Sequence, residues 1–174
     1  MKGIRFLNQN GAKAICIPCN SAHCWFDEMQ AASVVPLLHI VRASADQVRK
    51  KNPTAKAVGV LSTFGTHTMG IYTSTLKDMG YTVISPTTHE FESFVSPAIA
   101  MIKANNWADA KVTFAEAAQH LVEHSAEVIV LGCTEIPFGM EGQCRANPSK
   151  FVDSNDALVD VVIEFFGQRR PNLY

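Results

Sequence analysis

Two cysteines stand where parallel α/β proteins place reactive groups. Cys19 follows the apolar run 14–18, and Cys133 follows the apolar run 128–132. Each run predicts a buried strand, and each cysteine comes just past the strand's carboxyl end, where open α/β sheets bind ligands. Sliding the chain along itself so that Cys133 covers Cys19 aligns the same order in both copies: helix end, small residue, alanine, apolar strand, turn residue, cysteine. The pattern predicts two thiols directed into one cleft.

Two opposed thiols suit proton exchange at a carbon atom. Racemisation removes a proton from one face of a carbon and returns one to the other face, so it needs a base and an acid on opposite sides. A thiolate and a thiol can exchange these roles. Because the residues after each cysteine lead toward a helix start, we expect the positive helix end to lower the pKa of the thiols from about 8.5 toward neutrality.

Such a reaction also needs donors for the negative charge that develops at a substrate carboxylate. Polar side chains of this kind follow both cysteines, and two more lie at a third strand end that opens a helix. The candidates are Asn20, Ser21, Thr63, Thr66 and Thr134. Ordinary helix N-capping is an alternative explanation for Thr63 and Thr66. Glu135 could orient Thr134 or a substrate ammonium group, or cap a helix.

Short β-branched runs alternate with amphipathic stretches, which is typical of a mainly parallel sheet flanked by helices. The predicted strands are 14–18, 37–40, 57–61, 82–85, 128–132 and 151–152. The predicted helices are 1–10, 22–32, 44–51, 66–79, 90–105, 108–124 and 155–166. Turn residues near 51–54 and 145–148 divide the chain into two α/β lobes. We predict a discontinuous first lobe, 1–52 with 148–174, and a second lobe, 53–147.

Composition narrows the class of partner. The chain has 174 residues, 47% hydrophobic and 18% charged, with a net charge of −1. This balance argues against nucleic acid and favours a small molecule. The first residues lack the apolar core of a signal peptide, and no run is apolar for long enough to span a bilayer, so we expect a cytoplasmic protein without membrane contact. Five cysteines, an odd number without repeated spacing, indicate free thiols.

The residues around both cysteines carry a family resemblance. The segment 17–23, Ile-Pro-Cys-Asn-Ser-Ala-His, resembles the Pro-Cys-Asn-Thr-Ala-His signature of the aspartate/glutamate racemase family, with Ser21 in place of threonine. The segment 131–137, Leu-Gly-Cys-Thr-Glu-Ile-Pro, resembles its second signature, Gly-Cys-Thr-Glu. Residues 61–66, with Gly70 and Tyr72, are similar to its Thr-x-Gly-Thr segment. The resemblance extends over nearly the whole chain.

This resemblance implies two pseudo-symmetric α/β lobes with a site between them, no cofactor or metal, and a homodimer acting on a small acidic amino acid. It implies that Cys19 and Cys133 are the catalytic acid/base pair and that the polar candidates above contact substrate. Lys103 resembles a lysine that meets the distal carboxylate in aspartate racemases; a solvated charge at a helix end is the alternative.

The family pattern begins with a strand and a glycine-rich loop, whereas this chain begins in the helix before the first cysteine strand, so we expect a first lobe that is incomplete at its N-terminus. Two alternatives to an aspartate or glutamate racemase therefore stay open. One is a related isomerase of the superfamily, such as a hydantoin racemase or maleate isomerase. The other is a catalytically inactive protein that binds carboxylates.

Other motifs predict less. Cys16 and Cys19 have the Cys-x-x-Cys spacing of thiol oxidoreductases, but Cys16 falls inside a strand and we expect it in the core. For Cys24 and Cys144 we expect buried or incidental thiols. His120, Glu123 and His124 have a zinc-peptidase spacing, but they oppose the apolar stripe of their helix, so we expect a solvated face. His23 could tune Cys19 or could be an ordinary histidine at a helix start.

Overall fold

The computed structural model describes residues 1–167. Within them the chain forms six short strands, each of which coincides with a predicted one: β1 (Ile15–Cys16), β2 (Leu37–Leu38), β3 (Ala57–Ser62), β4 (Thr82–Ile84), β5 (Val128–Gly132) and β6 (Phe151–Asp153).

Except for the helix after Cys133, the helices overlap predicted ones, and the third begins at Ile40 rather than at residue 44. They are α1 (Lys2–Gln9), α2 (Phe26–Ala31) after a 3₁₀ turn (Ser21–Trp25), α3 (Ile40–Lys51), α4 (Phe64–Thr68), α5 (Ile71–Asp78), α6 (Thr88–Glu90), a π segment (Phe91–Val95), α7 (Ser96–Lys103), α8 (Trp107–Glu123), α9 (Ile136–Ala146) and α10 (Ser154–Gly167). The predicted helix 66–79 is divided between α4 and α5 at Gly70, whose φ of 68° is left-handed and suits glycine.

Two parallel sheets organise these elements. Four strands pair in the order β4-β3-β5-β6, and β1 and β2 form a separate two-stranded sheet. All the pairs are parallel. Ser62 at the end of β3 lies opposite Gly132 at the end of β5. The residues that follow these two strands therefore emerge side by side at one edge of the larger sheet, and the predicted α/β class is confirmed.

Apolar side chains of the central strands point alternately to the two faces of the larger sheet, so each face has an apolar core. In β5, Val128 and Val130 face one cluster, which α3, α5 and α10 complete, whereas Ile129 and Leu131 face another, which α7, α8 and α9 complete. Successive side chains of a strand point to opposite faces, so an all-apolar strand must be covered on both. This burial makes the end of β5 a firm support for Cys133.

The smaller sheet has its own apolar cluster. Ile15 and Leu37 pack with Ile4 of α1, and all three are buried. The strand β6, from the predicted first lobe, pairs with β5, while the helix α10 that follows it packs on α3. The division into lobes stays a prediction. No helix in the part of the chain that the structure describes combines the length and apolar character needed to cross a membrane.

The helix α9 was absent from the predicted set. Pro137, Gly139 and Gly142 give its sequence a low helix propensity. Tertiary packing explains the glycine at 139, because a Cβ atom there would lie 2.3 Å from Cδ2 of Phe114 in α8. Glycine thus allows α8 and α9 to approach closely, and the packing outweighs the local propensity.

Candidate active site

A small cavity lies where the two sheets meet, beyond the carboxyl ends of β3 and β5. Its volume is about 160 Å³. Ten residues line it: Cys19, Asn20, Ser21, Thr63, Thr66, Lys103, Gly132, Cys133, Thr134 and Glu135. The structure therefore brings together all nine residues that the sequence nominated. Two larger clefts, of about 600 and 560 Å³, contain neither Cys19 nor Cys133.

Cys133 is buried, and its thiol is held by its neighbour Glu135. The sulfur donates a hydrogen bond to Oε2 of Glu135 at 3.1 Å, and the hydroxyl of Thr134 donates to the same oxygen at 2.8 Å. The other oxygen, Oε1, lies 3.3 Å from Nζ of Lys103. One carboxylate thus gathers a thiol, a hydroxyl and an ammonium group.

These surroundings favour the protonated form of Cys133. Burial raises the pKa of the Cys133 thiol to about 12, and the Glu135 carboxylate adds to the rise, partly offset by the backbone N–H of Glu135. For Cys133, the expected lowering by a helix start was wrong, because loss of hydration and a nearby negative charge outweigh the helix end. The pKa of Glu135 itself is lowered by the hydrogen bonds from Cys133 and Thr134 and by Lys103, against the effect of its own burial.

Cys19 has different surroundings. It is exposed, and its sulfur lies 3.5 Å from Oγ of Ser21. Its backbone is held by the buried ring of His23, whose Nδ1 lies 2.9 Å from the Cys19 carbonyl and whose Nε2 accepts from the N–H of Ile40 at 3.3 Å. Since Nε2 accepts, Nδ1 carries the proton and donates it. His23 therefore positions the Cys19 loop through backbone groups.

A second histidine supports the same loop. His39 caps α3, its Nδ1 accepting from the N–H of Val41 at 3.2 Å. The ring centroids of His39 and Phe26 are 4.2 Å apart, and those of His39 and His23 are 4.9 Å apart. Burial lowers the pKa of His23, and burial together with the neighbouring His23 and Arg42 lowers the pKa of His39 to about 4. Both rings are therefore neutral at pH 7.

Asn20 belongs to a buried polar network that joins the Cys19 loop to three helices. Its Oδ1 accepts from the Tyr72 hydroxyl at 2.6 Å, and its Nδ2 donates to Oγ of Ser154 at 3.1 Å. The Tyr72 hydroxyl also lies 3.3 Å from Oγ of Ser44. Burial raises the pKa of Tyr72, so the phenol stays protonated and can donate. Tyr72 also packs against Gly132, where an added Cβ would lie 2.7 Å from its ring.

Thr63 caps a helix, and both Thr63 and Thr66 lie at the cavity wall. Oγ1 of Thr63 accepts from the N–H of Thr66 at 3.1 Å and so caps α4. The two hydroxyl oxygens lie 2.9 Å apart, and both residues line the cavity. Capping fixes the orientation of these hydroxyls at the cavity wall.

Several sequence expectations need correction. Cys16 is exposed, not in the core, because Ile15 occupies the buried face of β1 and the next residue points away from it. Cys24 and Cys144 are half-buried free thiols, which agrees with the expectation of buried or incidental thiols. His120 is not simply solvated, since its Nδ1 lies 2.8 Å from Oε1 of the buried Glu90.

Among residues 1–167, no three or more histidine, cysteine or acidic side chains form a group that could hold a metal ion. Sequence reasoning also missed Ser44 and Ser154, and it gave Tyr72 no role of its own. These partners are distant in the chain from Asn20, and their hydroxyls carry no local pattern that signals the contact.

Known proteins resemble this chain along most of its length. Broad specificity amino-acid racemase RacX from Bacillus subtilis is 32% identical over 130 residues, which cover 75% of this chain and 55% of RacX. A glutamate racemase from Limosilactobacillus fermentum is 26% identical over 161 residues, covering 89% of this chain and 55% of that enzyme. The chain thus spans about half the length of these curated relatives.

The fold comparison agrees. The aspartate racemase of Picrophilus torridus superposes with a TM-score of 0.77 at 27% identity, covering 95% of this chain and 67% of that one. Such neighbours have a two-lobe α/β fold. The model of the family described as Asp/Glu/Hydantoin racemase matches residues 1–162. The chain therefore belongs to the Asp/Glu/hydantoin racemase family.

Proposed function

We propose that this protein interconverts the L and D forms of aspartate or glutamate by proton transfer between Cys19 and Cys133, without a cofactor. The observation that carries the proposal is that two thiols from separate sheets line one cavity of about 160 Å³. A space of that size suits a small amino acid. A base and an acid on different walls of one pocket are the arrangement that inversion at a carbon centre requires.

In the proposed reaction one sulfur, as thiolate, takes the Cα proton and becomes a thiol. The electron pair left on the substrate is delocalised into its α-carboxylate. The other sulfur, as thiol, donates its proton to the opposite face of Cα and becomes a thiolate. The hydroxyls of Ser21, Thr63 and Thr134 line the cavity and supply donors for the growing negative charge.

Lys103 is the proposed partner of the substrate's side-chain carboxylate. It is the one cationic side chain among the described residues that line the cavity. Its ammonium group is paired with Glu135, and the Lys103 side chain is 62% exposed, so it is free to change partners. An acidic substrate would then compete with Glu135 for this charge.

The ion pair between Lys103 and Glu135 also favours a second candidate function, a racemase of wider specificity. While Lys103 stays paired with Glu135 at 3.3 Å, the two charges that line the cavity balance. A neutral amino acid would then fit without separating the pair. Rates of Cα exchange with alanine and with aspartate discriminate the two candidates: the acidic proposal requires aspartate to be much the faster.

The test is exchange of the Cα hydrogen for deuterium in heavy water, measured by NMR on L- and D-aspartate and glutamate without added cofactor. Cys19→Ser and Cys133→Ser should each lower the exchange rate by about 10²–10⁴-fold, the usual contribution of one acid/base group. Cys16→Ser is the matched control, because Cys16 does not line the cavity. Exchange that persists in both active-site variants would overturn the mechanism, and aspartate binding without exchange in the unchanged protein would identify a carboxylate-binding protein.

A further inference from the structure

The cavity already contains one carboxylate. Glu135 is the acidic side chain among the described cavity-lining residues, and Oε2 of this residue accepts the thiol proton of Cys133. The hydroxyl of Thr134 and the ammonium group of Lys103 hold the carboxylate in this position, at 2.8 and 3.3 Å. The contact with the thiol is therefore braced by two further partners.

Within residues 1–167, Cys19 has no carboxylate partner of this kind. The side-chain partner of Cys19 is the hydroxyl of Ser21, at 3.5 Å, and the cysteine is exposed to water. A thiolate at Cys19 can be hydrated, whereas a thiolate at Cys133 would be buried about 3.1 Å from a carboxylate oxygen. Like charges this close disfavour ionisation strongly, and burial adds to the effect.

We propose that Glu135 is a positioning residue that keeps Cys133 protonated before substrate binds. The protein without substrate is then set for the enantiomer whose Cα hydrogen faces Cys19, with Cys19 as the base and Cys133 as the acid. This inference rests on the proposed function for its meaning in catalysis. The unequal protonation of the two thiols in one cavity does not depend on turnover and can be measured without it.

One cycle then ends in the less stable enzyme form. Cys19 has gained the proton from Cα, and Cys133 has lost its proton to the other face of Cα. The new Cys133 thiolate faces the Glu135 carboxylate without the S–H bond that joined them. After product leaves, water carries a proton from the Cys19 thiol to the Cys133 thiolate, and the starting form is restored with no net change in atoms.

The experiment measures thiol alkylation in the protein without substrate. Iodoacetamide reacts with thiolates, and mass spectrometry of peptides reports the rate at each cysteine over a series of pH values. In the unchanged protein Cys19 should react much faster than Cys133. Glu135→Gln replaces the carboxylate by a neutral amide, so the alkylation rate of Cys133 near pH 8 should rise about tenfold, with its pH midpoint lower by about one unit.

Glu141→Gln is the matched control on the same helix. Glu141 is exposed and pairs with Arg145, so this change should leave the alkylation rate of Cys133 unaltered. Lys103→Met is a second, independent variant. It removes the cation beside Glu135, which should slow the alkylation of Cys133 and raise its pH midpoint. This variant also carries the test if Glu135→Gln does not fold.

The proposal fails if Cys133 reacts as fast as Cys19 in the unchanged protein, or if neither variant changes the Cys133 profile. A merely structural Glu135 would alter the thermal stability without moving that profile. Because no amino acid is present, absent racemisation would count against the proposed function alone, and equal alkylation rates would count against this inference alone.

Discussion

The surroundings of Cys19 and those of Cys133 differ although the two sequence segments look alike. Cys19 follows a two-residue strand in a two-stranded sheet, is exposed, and depends on His23 to hold its loop. Cys133 follows the central strand β5, is 6% exposed, and donates to Glu135. A cysteine that follows a parallel strand thus meets water in one case and a buried carboxylate in the other.

The comparison shows that two cysteines in similar sequence segments need not be chemically equivalent. The strand and turn place each sulfur at the cavity, but neighbouring side chains decide whether it is more easily a thiol or a thiolate. In the proposed reaction one sulfur must be a thiolate and the other a thiol when the substrate binds. The unequal surroundings decide which of the two sulfurs is the thiolate in the protein without substrate.

The largest loss of stability is expected at Tyr72, which contacts Asn20 beside Cys19 and Gly132 beside Cys133. Tyr72→Phe removes the donor to the buried Asn20, which is 3% exposed, and leaves its Oδ1 without that hydrogen bond. An unsatisfied buried acceptor costs about 1–3 kcal/mol of unfolding free energy. Urea unfolding measures the loss, and Cα exchange should slow as well. Tyr81→Phe, outside the cavity lining, is the control. Equal stability of the Tyr72 and Tyr81 variants would show that the network does not support the site.

The Cys133 side alone is tested by Gly139→Ala in α9. Alanine would gain up to about 1 kcal/mol in helix propensity, but overpacking against the buried Phe114 costs about 1–3 kcal/mol. We expect a net loss of about 1–2 kcal/mol in thermal or urea unfolding. At Gly142 of the same helix an added Cβ meets nothing within 4 Å, so Gly142→Ala should stabilise instead. Similar effects at both positions would contradict the proposed close contact between α8 and α9.

Lowering the pH tests the surroundings of Cys19 alone, because His23 and His39 support the Cys19 loop. The folded pKa of His39 lies at about 4, below its ordinary value of 6.5, and that of His23 is also lowered. The folded state therefore binds these protons less readily than the unfolded state does, so stability is complete above pH 6.5 and falls as the pH drops toward 4. Discounted for the partial exposure of His39, the loss is roughly 1 kcal/mol.

His39→Asn isolates this titration. Asparagine can still cap α3 but cannot take up a proton. Urea unfolding between pH 7 and 4.5 should show a smaller decline for this variant than for the unchanged protein. An identical decline in both proteins would assign the acid sensitivity to other groups.

The smallest effect is expected at the surface. The ion pair between Arg145 and Glu141 spans 2.6 Å on α9, but its side chains are 80% and 57% exposed. Exposed pairs of this kind contribute about 0.5 kcal/mol or less. Arg145→Ala should therefore change the melting temperature slightly and leave the alkylation of Cys133 unaltered. A loss as large as that of Gly139→Ala would show that α9 depends on its surface charges more than on its core.

Sequence patterns predicted the larger elements because their causes are local. Val128–Gly132 alternates between two apolar clusters, and its β-branched residues signal a strand without further context. Helix α9 was missed because the reason for Gly139 lies in Phe114, a residue of another helix. The same limit applies to Cys16, whose exposure depends on which side of a two-stranded sheet is covered.

The candidate site divides in the same way. Signatures around Cys19 and Cys133 nominated the polar residues next to the two thiols. Thr63 and Thr66 were nominated by a third strand end, and Lys103 was nominated by the family resemblance. The state of Cys133 was mispredicted because a helix start is visible in sequence, whereas burial and the contact with Glu135 depend on the folded chain. The hydrogen bond from Tyr72 to Asn20 joins residues that are 52 positions apart in the chain, so no local spacing could reveal it.

In the proposed reaction, two groups on opposite faces of one carbon share the proton transfer. The most direct measurement starts from one enantiomer of aspartate in heavy water and follows deuterium in both enantiomers at early times, after chiral separation. Two separate thiols predict deuterium at Cα of the newly formed enantiomer, while the recovered starting enantiomer stays unlabelled. Deuterium appearing equally early in both enantiomers would mean that a single group serves both faces, and would contradict the account.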